Sequence, residues 1–122
     1  PLDLETNNLI TINEIKLMKK DSFLINTARG GIINENDLSI ALEDNLIAGA
    51  AIDVFEDEPY SGKLVNHENC ILTSHMGSMT VDCRSRMEIE ATEEVIRFIK
   101  GFDLKGIVPE DEYKIQRNGF IA

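Results

Sequence analysis

SFLINTARGGIINENDLSIALEDN, residues 22–45, places an apolar run, an arginine and a helix start one after another. SFLIN (22–26) is short and apolar and reads as a buried strand. Asn34 stands where a helix cap is wanted, with Glu35 and Asp37 in the electropositive first turn. Leu38, Ala41, Leu42 and Leu46 then recur at helical spacing as an inner face. A second apolar run follows at once, AGAAIDVF (48–55), in which Gly49, Ala50 and Ala51 permit close approach of neighbouring backbone. Strand, helix and strand in this order form a parallel α/β unit. Arg29 lies between the first strand and its helix, held by Ala28 and two glycines. The carboxyl ends of such strands are the mouth of the sheet, where ligands bind. A cation fixed at that mouth awaits an anion.

Outward from this core the pattern continues. TINEIKLMKK (11–20) reads as a short helix with Thr11 and Glu14 at capping-box spacing. CILTS (70–74) is a third strand, and a long final helix runs from about Thr80 to Lys100. Its apolar stripe is Met87, Ala91, Val95 and Phe98, and Gly101 is its terminator. The tail from Phe102 is irregular, and its apolar residues, Phe120 among them, are expected to pack on something. Three strands are few for a buried parallel sheet, which implies a partner half or self-association.

The 122 residues carry a net charge of −10, with 43% hydrophobic and 28% charged residues. That acidic balance argues against nucleic-acid and membrane-surface partners, both polyanionic. No apolar run approaches the roughly 20 residues of a membrane span, and Pro1 to Glu5 lack the features of a signal peptide. Two cysteines, Cys70 and Cys83, imply no disulfide framework and fit reduced thiols in a cytoplasmic protein.

The chemistry-bearing residues gather at the three strand ends. The first end is Asn26-Thr27-Ala28-Arg29, the second carries Asp53 and the loop Glu56-Asp57-Glu58-Pro59, and the third is Thr73-Ser74-His75 followed by Met76-Gly77-Ser78. An arginine offers a rigid fork that matches a carboxylate. A histidine exchanges protons near neutral pH, and a carboxylate on the far ring nitrogen fixes the tautomer and favours the cation. The set suits oxidation of a 2-hydroxy acid. Arg29 would hold the carboxylate while His75 takes the hydroxyl proton as hydride leaves. Glu56 and Asp57 read as solvated charges and His67 as a surface loop residue.

These segments resemble the NAD-binding domain of the D-isomer-specific 2-hydroxyacid dehydrogenases. PLDLETNNLI resembles a loop after a cofactor-domain strand, INTARGG the catalytic-arginine segment, AAIDVFEDEP the aspartate–glutamate segment, and SHMGSMT the histidine segment. The resemblance implies catalytic roles for Arg29, Glu58 and His75. It also implies NAD contacts from Thr27, Ala28, Arg29, Asp53, His75, Gly77 and Ser78, and no metal. The expected fold is α/β, the C-terminal half of a Rossmann-type domain, with three parallel strands, flanking helices and a long final helix. Residues 1–100 would belong to that domain and 101–122 would pack on a substrate domain. EPYSGKL and the helix after it look most like phosphoglycerate-dehydrogenase-like members, and Ser74 replaces the proline common before the histidine.

No G-x-G-x-x-G phosphate loop is present, and Gly30-Gly31 follow the wrong strand to serve as one. The expectation is therefore a fragment of a larger dehydrogenase, inactive alone and self-associating as a homodimer, with a small 2-hydroxy or 2-oxo acid as substrate of the whole. Two other classes are open. His67, Cys70, His75 and Cys83 in the order H-x2-C-x4-H-x7-C form a possible zinc module, though not a standard finger spacing. A non-catalytic NAD-sensing or scaffold half-domain would be expected to lose Arg29, Glu58 or His75, and all three are present.

Overall fold

Three strands pair in parallel in the computed structural model, which describes residues 2–108. They are β1 (Phe23–Asn26), β2 (Gly49–Ile52) and β3 (Cys70–Leu72), in the order β1-β2-β3. The register sets Phe23 opposite Gly49, Asn26 opposite Ile52, and Ile52 opposite Leu72. The helices are α1 (Ile12–Ile15), α2 (Glu35–Glu43) and α3 (Val81–Ile99), with a 3-10 turn at Lys63–Asn66. The chain divides into two compact units between His75 and Met76.

In the first unit α2 forms where its caps demand. The Asn34 side chain accepts from the Asp37 N–H at 3.0 Å, satisfying one orphan donor of the first turn. Leu38, Ala41 and Leu42 are buried and meet Ile15, Ile33, Ile47, Ala50, Ile52, Phe55 and Leu64 in one core. Ile15, Leu38 and Leu64 are fully buried, and each such side chain stabilises the fold by roughly 1.5–3 kcal/mol. Gly49 is required by packing. A Cβ there would stand 2.6 Å from the Asn69 carbonyl oxygen and 3.2 Å from the Phe23 ring.

Several boundaries differ from expectation. Thr11 and Glu14 do form a capping box, but the helix they start stops after one turn, at Ile15. Beyond Ile15, Leu17 is exposed whereas Met18 still packs partly buried against the core. SFLIN is buried on one side only. Asn26 points inward, whereas Phe23 and Ile25 are each 66% exposed, because side chains alternate along a strand. Ile71 of β3 is exposed as well. The second run leaves the ladder at Ile52, and Asp53, Val54 and Phe55 remain buried in the turn beyond it. The 3-10 turn was not anticipated; Leu64 anchors it in the core.

The second unit contains α3. Thr80 caps it by accepting from the Cys83 N–H at 3.2 Å. Gly101, at φ +70°, ends it in a Schellman arrangement, with the Phe102 N–H on the Arg97 carbonyl at 2.9 Å and the Gly101 N–H on the Phe98 carbonyl at 3.1 Å. Met87, Val95 and Phe98 of the expected stripe are exposed. Phe120 lies outside the described residues, as does all of the tail beyond 108. No helix among the described residues is long and apolar enough to cross a membrane.

Candidate active site

The arginine turn is built by Asn26, the last residue of β1. Its buried side chain donates to the Arg29 carbonyl at 2.9 Å and accepts the Ala28 N–H at 3.0 Å, closing a tight loop. Arg29 is exposed, and its Nη1 donates to the Ala28 carbonyl at 2.6 Å. No carboxylate pairs with it among the described residues. Its fork is thus directed by its own loop and is not consumed by a structural ion pair. Gly30 explains the glycine pair. A Cβ there would fall 2.0 Å from the carbonyl carbon and oxygen of Phe55, so the arginine turn presses directly on the backbone that leads to Glu58. Gly31 adopts φ +81°, a conformation that favours glycine.

Asp53 ties the three strand ends together. Its N–H donates to the Asn26 carbonyl at 2.9 Å, its carbonyl accepts the His75 N–H at 2.8 Å, and its carboxylate accepts from the Thr73 hydroxyl at 2.5 Å. Asp53 is only 7% exposed. His75 sits at φ +53°, a left-handed conformation in which histidine is found more often than most side chains but which still costs energy.

Glu58 and His75 meet side chain to side chain. Glu58 Oε2 lies 3.1 Å from His75 Nδ1, and Glu58 Oε1 accepts the Phe55 N–H at 3.0 Å. These two contacts, the Phe55 N–H first and His75 second, hold the Glu58 carboxyl below the usual glutamate range. The stabilisation from this carboxylate is therefore present above the pH at which an unfolded glutamate titrates. It is lost as pH falls through the lowered folded value. NMR titration of the side-chain carboxyls is expected to find Glu58 below free glutamate. His75→Ala should recover only part of the shift, since the Phe55 N–H remains. An ordinary Glu58 titration would contradict the bonded geometry.

The loop holding Glu58 has further supports that the sequence did not disclose. Glu35 at the start of α2 accepts the Glu56 N–H at 2.8 Å, and burial pushes the Glu35 carboxyl above its ordinary range despite that bond. Glu56 and Asp57 are exposed, as expected. Tyr60 stacks on Phe55, with ring centroids 4.3 Å apart, and its hydroxyl accepts the Leu64 N–H at 3.2 Å. A cavity of about 490 Å³ opens beside Glu58 between Phe55, Tyr60, Leu72 and Thr73.

Arg29, Asp53, Glu58 and His75 all lie in the first unit at the carboxyl ends of the strands, whereas Gly77 and Ser78 belong to the second. His67 is not a free surface residue. It is partly buried, and its Nε2 lies 2.8 Å from the buried Ser39 hydroxyl on α2. Burial pushes the Cys70 thiol up to about 11. Among the described residues no group of three or more His, Cys, Asp or Glu side chains is arranged to hold a metal ion.

A parallel sheet with helices between its strands and polar groups at its carboxyl ends defines a Rossmann-type nucleotide-binding fold. Residues 1–77 match the family described as D-isomer specific 2-hydroxyacid dehydrogenase, NAD binding domain, and the chain belongs to that family. It is 40% identical over 121 residues to a glyoxylate reductase of Pyrococcus horikoshii, an alignment covering 98% of this chain and 36% of the relative. It is 43% identical over 109 residues to D-3-phosphoglycerate dehydrogenase of Bacillus subtilis, covering 88% of this chain and 21% of that one. Among solved structures, the NADPH-dependent glyoxylate/hydroxypyruvate reductase of Sinorhizobium meliloti, in complex with NADP and malonate, superposes with a TM-score of 0.85 at 28% identity, over 90% of this chain and 35% of that one. The D-lactate dehydrogenase of Lactobacillus jensenii with NAD+ superposes with a TM-score of 0.78 at 27% identity, over 90% and 38%. The chain thus spans about a third or less of the curated relatives it matches.

Proposed function

We propose that this chain carries the catalytic residues of an oxidoreductase that interconverts a D-2-hydroxy acid and its 2-oxo acid with NAD. The observation that carries this reading is the 3.1 Å contact of His75 with Glu58 at the strand ends. Glu58 takes Nδ1 and leaves Nε2 to exchange a proton with the substrate's hydroxyl or carbonyl oxygen. Arg29, in the turn that presses on the Glu58 loop, grips the substrate carboxylate. The exposed rim of Thr27, Ala28 and His75 suits the nicotinamide end of the cofactor. Asp53, Gly77 and Ser78 complete the contacts that the family resemblance implies. When bound, the nicotinamide supplies or accepts the hydride. The grip on the pyrophosphate needs a G-x-G-x-x-G that these 122 residues do not contain, so they are expected to be inactive by themselves.

The names of the relatives support a small substrate, with glyoxylate as the first compound to assay and a phosphoglycerate-like acid as the second. In this reading residues 1–100 form the C-terminal part of the NAD-binding domain and the segment from 101 leads toward a substrate domain, with residues 109–122 lying outside those described. Both cysteines are free, in accord with a cytoplasmic location. The exposed Phe23, Ile25 and Ile71 support a homodimer, which a monomeric mass by light scattering would exclude.

The reading is tested in the complete enzyme with Arg29→Ala. Loss of one charge-assisted fork is expected to raise KM for the 2-oxo acid about 10–100-fold, with the KM for NADH moving far less. An unchanged KM for the 2-oxo acid would remove Arg29 from the site.

A further inference from the structure

We propose that Thr73 is a positioning residue for the His75–Glu58 pair, acting through Asp53. The inference rests on the reading of that pair as the proton-exchanging group. Three hydrogen bonds set the path of the chain from β3 to His75. The Thr73 N–H continues the ladder onto the Ile52 carbonyl at 3.0 Å. The His75 N–H reaches the Asp53 carbonyl at 2.8 Å. Between them the Thr73 hydroxyl reaches the Asp53 carboxylate at 2.5 Å. The two backbone bonds fix how far the segment lies from β2. The side-chain bond adds the lateral restraint that sets the angle at which Ser74 hands the chain to His75.

That angle matters because His75 is at φ +53°. A non-glycine residue stays in that region only where its surroundings over-determine it. Asp53 supplies two of the restraints at once, one from its main chain and one from its side chain, and is itself buried. The Asp53 charge also acts on Glu58, tending to raise its carboxyl against the bonds that lower it, so a carboxylate that swings would disturb both members of the pair. Thr73 itself is exposed, so an isosteric change there leaves no buried void.

The test compares Thr73→Val with Thr73→Ser in the complete enzyme. Valine keeps the shape and removes the hydroxyl; serine keeps the hydroxyl. The valine variant is expected to fold and to lose about 10-fold in kcat, since misplacing a catalytic group by a fraction of an ångström costs rate before affinity. KM for the 2-oxo acid should change much less, and serine should restore kcat. In the 15N spectrum the His75 ring signals should move in the valine variant and return with serine. Equal losses in both variants would assign the effect to the methyl group and overturn the proposal, as would a valine variant with unmoved ring signals. The ring signals report on the tether even if His75→Ala proves active, so a failure of the proton-exchange reading is distinguishable from a failure of this one.

Discussion

Replacing His75 with alanine in the complete enzyme is expected to lower kcat by roughly 10²–10⁴-fold, the usual weight of a general acid–base group. The magnitude follows from what the substitution removes. Glu58 already occupies Nδ1 and cannot itself take over the exchange at the position of Nε2. Removing the ring also frees Glu58 Oε2 while Oε1 keeps the Phe55 N–H, so the loop stays anchored and the loss falls on chemistry. Because residue 75 has a positive φ, His75→Asn is the cleaner companion. Asparagine tolerates left-handed backbone and has no group that titrates near neutral pH. In both variants a deuterated nicotinamide should show a larger isotope effect on kcat, because the slowed chemical step has become limiting. Wild-type kcat in both variants would defeat the assignment.

The second large effect is expected from Gly30→Ala. Its Cβ would stand 2.0 Å from the Phe55 carbonyl carbon and oxygen and 2.5 Å from the Glu56 nitrogen, all of them backbone atoms without a rotamer to give way. Either the arginine turn or the glutamate loop must move, and the cost is about 3 kcal/mol, the upper part of the usual overpacking range. Urea unfolding should show it as a shifted midpoint. Gly106→Ala is the control, since nothing lies within 4 Å of a Cβ there and its effect should be a few tenths of a kcal/mol. Equal midpoints for the two variants would mean that the close approach at Gly30 is absent in solution. The same step should cost activity, because Arg29 and Glu58 flank the displaced backbone.

Local signals carried most of the architecture. Asn34, Thr80 and the Thr11–Glu14 box mark helix starts with a side chain and its neighbours alone, and each is where the residues indicated. Strand ends were less legible because apolarity outlasts the hydrogen-bonded ladder. Val54 and Phe55 are buried in a turn, and periodicity registers burial rather than pairing. Phe23 and Ile25 misled in the opposite sense, since a short apolar run does not reveal that one face is open. Arg29, Glu58 and His75 stood out through their ordered motifs. Thr73, Tyr60 and Glu35 did not, because a hydroxyl, a ring and a carboxylate gain meaning only from Asp53, Phe55 and the Glu56 N–H, which lie far off along the chain or in a turn whose shape no local rule predicts.

The bonds that Asp53 makes to both neighbouring strand ends have a temporal consequence. Asn26, Asp53 and His75 come together only after both crossovers have closed, each a long-range contact whose loop entropy is met late in folding. No early helix or hairpin can hold even two of the three strand ends in place. The three strand ends are therefore expected to come into register through pairing of the sheet rather than through any local element.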